Sequence, residues 1–415
     1  MDLNMDLDRK VPVLDWEPHL AARTKHMHSS AIRELLKIIQ QPDIIAFSGG
    51  LPAPDFFPLR EVGEACQYIL QENGAKAMQY SASEGYLPLR EYLSDALRNY
   101  GIPATTDNIL LTNGSQQALD LIGKVFIDPG DYILTSRPTY LGAIQAWNAY
   151  QSRYHTVNLD DDGMVVDEIE HAYDKVLADS GKPPSFIYVL PNFHNPGGTT
   201  LSQARREQLA DVVTKLDLAV VEDDPYGQLR FEGQDLPPIC TYIPERTIYL
   251  GTFSKTLAPG FRVGWISCPE VLMQRFVQAK QGADLHTGTF VQYVANDICQ
   301  RGFLKQHVKR LREAYKERRD TMLDALTEFW PSGCSWTHPE GGLFLWAKVP
   351  EAINTVDFLE TALEERVAYV PGVHFYPNQD GGLNAMRLNF SYSRPEIIVE
   401  GIRRLGVALK RRLAG

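Results

Sequence analysis

A lysine stands directly behind an apolar run in Thr247-Ile-Tyr-Leu-Gly-Thr-Phe-Ser-Lys255. Burial makes a lysine amine shed its charge, and the neutral amine can attack an aldehyde to give a Schiff base. Arg262 follows in Pro259-Gly-Phe-Arg-Val-Gly264. In Val220-Val-Glu-Asp-Asp-Pro-Tyr226, Asp223 lies just past the end of another apolar run, where open α/β sheets place their ligands. A carboxylate there can hold a cationic ring nitrogen, and Tyr226 can donate to a phenolate-like oxygen. Asn195 precedes a proline in Leu190-Pro-Asn-Phe-His-Asn-Pro-Gly-Gly198, which biases it away from the α region and lets its amide aim into a cleft. Ser115 and Gln116 follow Gly114 in the first turn of a segment whose Ala118, Leu121, Ile122 and Val125 share one helix face. Free amides, the helix dipole and a serine hydroxyl at that point make a phosphate seat. No Lys-Ser/Thr pair follows the glycine, so this is not a P-loop.

Taken singly, each residue has a plainer reading: an exposed loop lysine, surface ion pairs, a loop aspartate capping the next turn, a Pro/Gly turn, a serine N-cap. His194 reads as structural. Taken in order, and with Tyr140 as a ring to stack and Arg387 near the end of the chain, they form a set that one cofactor explains. Pyridoxal 5′-phosphate needs a phosphate cup, an aromatic over its ring, donors to its phenolic oxygen, an anion at its pyridine nitrogen and a lysine for its aldehyde.

The elements that must position these residues are visible as short apolar runs. Tyr132-Ile-Leu-Thr135, Phe186-Ile-Tyr-Val-Leu190, Leu218-Ala-Val-Val221 and Thr247-Ile-Tyr-Leu250 are rich in β-branched and aromatic residues and bounded by Gly, Pro or Asp. Such runs suit strands buried on both faces. Helix-period stretches such as Ser202–Lys215 alternate with them, which predicts an α/β fold with a mostly parallel sheet. Long helices are expected from about Pro269 to Trp330. Short strands return at Gly342–Trp346, Val367–Val370 and Met386–Phe390, predicting a smaller α+β domain. Near the start, Ile32, Leu35, Leu36 and Ile39 mark an amphipathic helix behind a Ser30 cap.

At 415 residues, 44% apolar, the chain has the length for two or three domains and a large core. Its net charge of −11 argues against nucleic-acid or anionic-membrane partners. The five cysteines are scattered without a CxxC pair, which predicts packed thiols in a reducing compartment rather than disulfides or a metal site. No apolar leader opens the chain and no run nears a bilayer span, so a cytoplasmic protein is expected.

The ordered set resembles the class I aminotransferases of the fold-type-I pyridoxal-phosphate superfamily, and within them the 2-aminoadipate and kynurenine aminotransferase subgroup. Phe47-Ser-Gly-Gly-Leu-Pro-Ala-Pro54, Gln79-Tyr-Ser-Ala-Ser-Glu-Gly-Tyr86, Gly114-Ser-Gln-Gln-Ala-Leu-Asp120, Gly282-Ala-Asp-Leu-His-Thr287 and Pro339-Glu-Gly-Gly-Leu-Phe344 carry the likeness. The lysine segment is its most specific part. Two departures stand out: Asn195-Pro-Gly-Gly replaces the usual Asn-Pro-Thr-Gly, and Thr252 replaces a serine.

The resemblance implies a large domain over residues 59–305 that binds the cofactor, a small C-terminal domain over 306–415, and an N-terminal arm over 1–58 packing with the latter. It implies that Lys255 carries the cofactor and moves the substrate proton, that Asp223 holds the pyridine nitrogen, and that Asn195 and Tyr226 bond the phenolic oxygen. Tyr140 would stack on the ring, with Ser115, Gln116, Thr252, Ser254 and Arg262 around the phosphate. Arg387 would clamp the substrate carboxylate beside Asn195 and Gly50, and Arg33 would meet a distal carboxylate or pair with a nearby acid. Tyr80 would reach the phosphate of a neighbouring subunit, so a homodimer with active sites at its interface is expected. The implied reaction is transfer of an amino group from an L-amino acid of 2-aminoadipate, aromatic or branched-chain type to a 2-oxo acid, 2-oxoglutarate for choice. A β-lyase on the same scaffold would use Lys255 and Arg387 equally well. A ligand-binding regulator would need a basic DNA-binding head, for which the stretch ahead of Ser29 is too short.

Overall fold

The computed structural model describes residues 13–27 and 43–414. The large sheet comprises β1 (Ile109–Thr112), β2 (Tyr132–Arg137), β3 (Arg153–Asp160), β4 (Gly163–Met164), β5 (Phe186–Val189), β6 (Val220–Asp223), β7 (Thr247–Thr252) and β8 (Gly264–Ser267). Their spatial order is β1-β8-β7-β6-β5-β2-β3-β4. The centre, from β7 through β6, β5 and β2 to β3, is parallel. Every residue of β5, β6 and β7 is buried, as a sheet covered on both faces demands.

The ends of the sheet depart from the parallel expectation. β8 runs antiparallel to both β7 and β1, and β4 to β3. Residues 253–263 are taken up by the loop that carries Lys255, leaving no crossover helix to return the chain in parallel.

Helices cover both faces. On one, α3 (Ser115–Phe126), α4 (Leu141–Asn148) and α7 (Glu270–Gln281) pack over Tyr188, Val221, Ile248 and Leu250. On the other lie α5 (Ile169–Ser180) and α6 (Gln203–Lys215), and, over β1, β7 and β8, α1 (Leu59–Ala77), α2 (Leu87–Asn99) and α8 (Thr289–Gln300). The stretch from Pro269 to Trp330 is helical as read, but in three pieces. α7 and α8 are separated by the loop from Gly282 to Gly288, and α9 (Phe303–Phe329) starts behind Gly302, whose φ is 70°.

The second sheet is antiparallel, in the order β9 (Ser335–Trp336), β10 (Phe344–Lys348), β12 (Ala385–Asn389), β11 (Val370–Pro371). With α9, α10 (Thr355–Glu364) and α11 (Pro395–Ala414) it builds a core around Leu345, Leu388, Ile402 and Leu405. The single strand expected at Val367–Val370 is split. Val367–Ala368 pairs in parallel with Ile45–Ala46 instead, and the Asn389 amide donates to Phe47 O at 2.9 Å. The incoming chain is thereby pinned beside β12, and that contact brings residues 48–50 to the site. The amphipathic helix read at Ser30–Ile39, with Arg33, lies outside the described residues.

Candidate active site

The C-terminal ends of the parallel strands and Arg387 from the small sheet enclose a cavity of about 400 Å³. Twelve of the fourteen residues singled out in the sequence line it: Gly50, Ser115, Gln116, Tyr140, Asn195, Asp223, Tyr226, Thr252, Ser254, Lys255, Arg262 and Arg387. Tyr80 does not. Its side chain is 78% exposed and lies edge-on to His286, ring centroids 5.7 Å apart. Arg33 is outside the described residues.

Lys255 follows β7, and its Nζ donates to the Gly50 carbonyl at 2.7 Å. Burial, with Arg387 and then Arg262 adding repulsion, lowers its pKa to about 8. The turn is held from within: Ser254 N–H donates to Thr252 Oγ1 at 3.1 Å, and the Thr252 hydroxyl reaches Val263 O at 3.1 Å. Asp223 closes β6 at 2% exposure. Its Oδ2 accepts from the Tyr188 hydroxyl at 2.8 Å, while Oδ1 is buried without a partner. Burial raises its pKa to about 7; the Tyr188 bond opposes this and Asp224 adds to it.

Asn195, in the turn after β5, links two predicted groups. Its Nδ2 donates to the Tyr226 oxygen at 3.4 Å, and its Oδ1 accepts from Arg387 Nη1 at 2.9 Å. His194 is structural, as read. It accepts from Gly197 N–H on Nδ1 at 3.2 Å and lies 3.0 Å from Ser136 Oγ through Nε2, with burial holding its pKa down at about 3. This neutral ring ties the Asn195 turn to the strand that precedes Tyr140. Arg387, on β12 and 1% exposed, also donates from Nη2 to Ser48 O at 2.7 Å. Its guanidinium lies over the rings of Phe344 and Phe375, at 4.2 and 5.1 Å from their centroids. Burial lowers its pKa to about 10, so it is cationic at neutral pH. Burial raises the phenols of Tyr140 and Tyr226, so both remain donors.

The helix start expected to seat a phosphate is not serine-capped. The N-cap of α3 is Gly114, at φ 73°, and Ser115 Oγ is buried without a partner. A Cβ on Gly114 would stand 2.5 Å from Arg262 Nη2, so only glycine lets the arginine lie across the helix start. Arg262 donates to Asn113 O at 3.0 Å, and Gln116 to Gly142 O at 2.9 Å.

Sequence reasoning missed Ser48, Phe344 and Phe375 around Arg387, and Tyr188 beneath Asp223. Ser48 and Phe344 fall inside the segments that carried the resemblance, so they could have been found; Tyr188 is one aromatic in a strand and gave no signal. A roomier cleft of about 580 Å³ lies behind Asp224. That carboxylate is already satisfied by Tyr249, Asn192 and Gly227 N–H, so the reactive groups converge in the smaller cavity. Among the described residues no cluster of His, Cys, Asp or Glu could hold a metal, and no helix is long and apolar enough to cross a membrane.

Three buried polar atoms therefore line or border one cavity unsatisfied: Ser115 Oγ, Asp223 Oδ1 and Arg387 Nε. Native interiors seldom leave such atoms without partners. A hydroxyl at a helix start, a carboxylate oxygen and a lysine amine match the phosphate, the ring nitrogen and the aldehyde of pyridoxal 5′-phosphate, and a guanidinium remains for a carboxylate.

The comparisons with known proteins agree. Residues 43–399 match the family model for aminotransferase class I and II. The chain is 45% identical to aromatic-amino-acid aminotransferase 1 of Thermococcus litoralis over 99% of both chains. It is similar to a Pyrococcus horikoshii kynurenine aminotransferase solved with PMP, with a TM-score of 0.91, 44% identity, and 96% and 98% of the two chains covered. It is also similar to the alpha-aminoadipate aminotransferase of Thermus thermophilus, solved with N-(5'-phosphopyridoxyl)-L-leucine. There the TM-score is 0.90, with 40% identity and 97% and 100% covered. With most of its length under that family model and the lysine, aspartate and arginine converging in space, the chain belongs to the class I and II aminotransferases and is a transaminase that uses pyridoxal 5′-phosphate.

Proposed function

We propose that the protein moves an amino group from an L-amino acid of 2-aminoadipate, aromatic or branched-chain type to 2-oxoglutarate, the two substrates alternating in one site by a ping-pong mechanism. The observation that carries this reading is the convergence of Lys255, Asp223 and Arg387 on one cavity. The relatives named for aromatic amino acids, kynurenine and alpha-aminoadipate support the donor class.

When bound, the cofactor supplies an electron sink for the charge left on the substrate Cα. The protein supplies everything else. Ser115, Gln116, Thr252, Ser254 and Arg262 seat the phosphate at the start of α3. Asp223 holds the ring nitrogen in its protonated form, and Tyr140 packs on the ring. Asn195 and Tyr226 donate to the phenolic oxygen. Lys255 would carry the cofactor through its aldehyde and would serve as the base and acid that moves the substrate proton between Cα and C4′. Arg387 orients the substrate carboxylate beside Asn195 and Gly50 through a charge-assisted fork.

The eight-stranded sheet, within residues 109–267, supports assigning 59–305 to the cofactor domain, and the four-stranded sheet, within 335–389, supports a small domain at 306–415, with 1–58 as the arm. The exposed side chains of Leu59, Met78, Tyr80 and Leu285 support a homodimer in which Tyr80 reaches the partner's phosphate site. Five unpaired cysteines accord with a cytoplasmic location. The test is a donor panel under single-turnover conditions, with sedimentation to count subunits. Donors that leave the cofactor spectrum unchanged, or a spectrum that 2-oxoglutarate cannot restore, would refute the reading.

A further inference from the structure

The two oxygens of Asp223 are unlike: Oδ2 is bonded by Tyr188 and Oδ1 is bare. Strand register produces the asymmetry. Tyr188 on β5 is paired with Val221 on β6, and Val221 and Asp223, two residues apart, point to the same face. Reaching from 188 to 223 means leaning roughly 6.6 Å along the neighbouring strand, a span for a tyrosine and not for an aliphatic side chain. Trp147 braces the ring edge-on, with centroids 5.0 Å apart and planes at 87°. Its own Nε1–H is tied to Leu119 O at 2.9 Å, in the helix whose first turn carries Ser115. The group behind Asp223 and the phosphate seat thus share one packed unit.

We infer that Tyr188 is a positioning residue for transamination: its hydroxyl holds Asp223 Oδ2 so that Oδ1 is presented to the ring nitrogen of the cofactor. Among the described residues only Tyr188 hydrogen-bonds this carboxylate. The other titratable groups around it are Asp224 and Tyr226 from its own segment, Tyr140 after β2, Lys255 and Arg262 after β7 and Arg387 from the small sheet. Burial, reinforced by Asp223, raises the Tyr188 phenol well above its ordinary range, so the hydroxyl keeps its proton while it donates. That donation opposes the burial that drives Asp223 towards its acid form.

The inference rests on the proposed role of Asp223, and one experiment separates the two. Pyridoxal 5′-phosphate is titrated into the apoprotein from about pH 5 to about pH 9, because a protonated ring nitrogen needs the ionised carboxylate. Tyr188→Phe keeps the ring and removes only the hydroxyl. It is expected to move the acid limb of binding up by about one pH unit and to weaken binding near neutrality roughly tenfold. Asp223→Asn is expected to remove the limb, and adding Tyr188→Phe to it to change nothing further. If Asp223→Asn leaves the limb in place, the reading of Asp223 is wrong, and this inference with it. If Asp223→Asn removes the limb but Tyr188→Phe leaves it at the wild-type pH, whatever the change in amplitude, Tyr188 only packs and the inference alone is overturned.

Discussion

Arg387 Nη1 donates to Asn195 Oδ1 across 2.9 Å and joins the central strand of the small sheet to the turn behind β5 of the large one. The same asparagine reaches Tyr226. One side chain therefore joins the proposed substrate clamp to the proposed cofactor contact, and the cavity draws its lining from both sheets.

Arg387→Lys is expected to lower kcat/KM for amino acids roughly a hundredfold, because an ammonium replaces neither the planar fork nor the bond to Asn195. Asn195→Ala is expected to cost about tenfold. Steady-state kinetics on one donor check both; an Arg387→Lys enzyme within about threefold of wild type would speak against a carboxylate clamp.

Lys255, held at about 8, loses its proton far below an ordinary lysine. The rate at which apoprotein captures an aldehyde, read after borohydride reduction by mass of the Lys255 peptide, is expected to rise with pH and level off above about 8. A rate still climbing near pH 10 would mean an unperturbed amine.

Asp223 has its folded pKa raised from 3.8 to about 7. A raised carboxylate is a stability cost absent below the unfolded pKa, growing as pH rises towards the folded one and constant beyond. The ceiling is about 4 kcal/mol. In melts of apoprotein, Asp223→Asn is expected to gain on wild type between about pH 4 and about pH 7 and to keep that lead above. Glu222 is common to both proteins and cancels. A difference that does not vary with pH would contradict the burial of Asp223 with one oxygen unsatisfied.

Gly114→Ala places a Cβ against Arg262 at a positive φ. Pyridoxal 5′-phosphate binding to the apoprotein is expected to weaken by roughly a hundredfold. The affinity of pyridoxal without phosphate should hardly change, which separates a damaged phosphate seat from a damaged fold.

Much of this was legible in the residues. β5, β6 and β7 announced themselves because a strand buried on both faces is a continuous apolar run between breakers, and Asn195, Asp223 and Lys255 sit at their ends for that reason. β8 gave no such signal: Gly264–Ser267 is as long as β5 and β6 but has only Trp265 and Ile266 between its glycine and serine, and its antiparallel return depends on what fills residues 253–263. The split at Val367–Val370 depends on residues 45–47, more than three hundred positions away in the chain. Tyr188 is invisible for a similar reason, since only register puts it beside Val221. Tyr80 is exposed because nothing else among the described residues covers it.

A single-turnover spectral titration asks whether Lys255, Asp223 and Arg387 make one transaminating site. Purified holoenzyme would be mixed in turn with L-2-aminoadipate, glutamate, leucine, kynurenine and phenylalanine, with Lys255→Ala as the control. At least one donor is expected to bleach the visible cofactor band, 2-oxoglutarate to restore it, and the Lys255→Ala protein to do neither at a comparable rate. A protein that takes up no cofactor, or whose band never converts with any donor, would contradict that expectation.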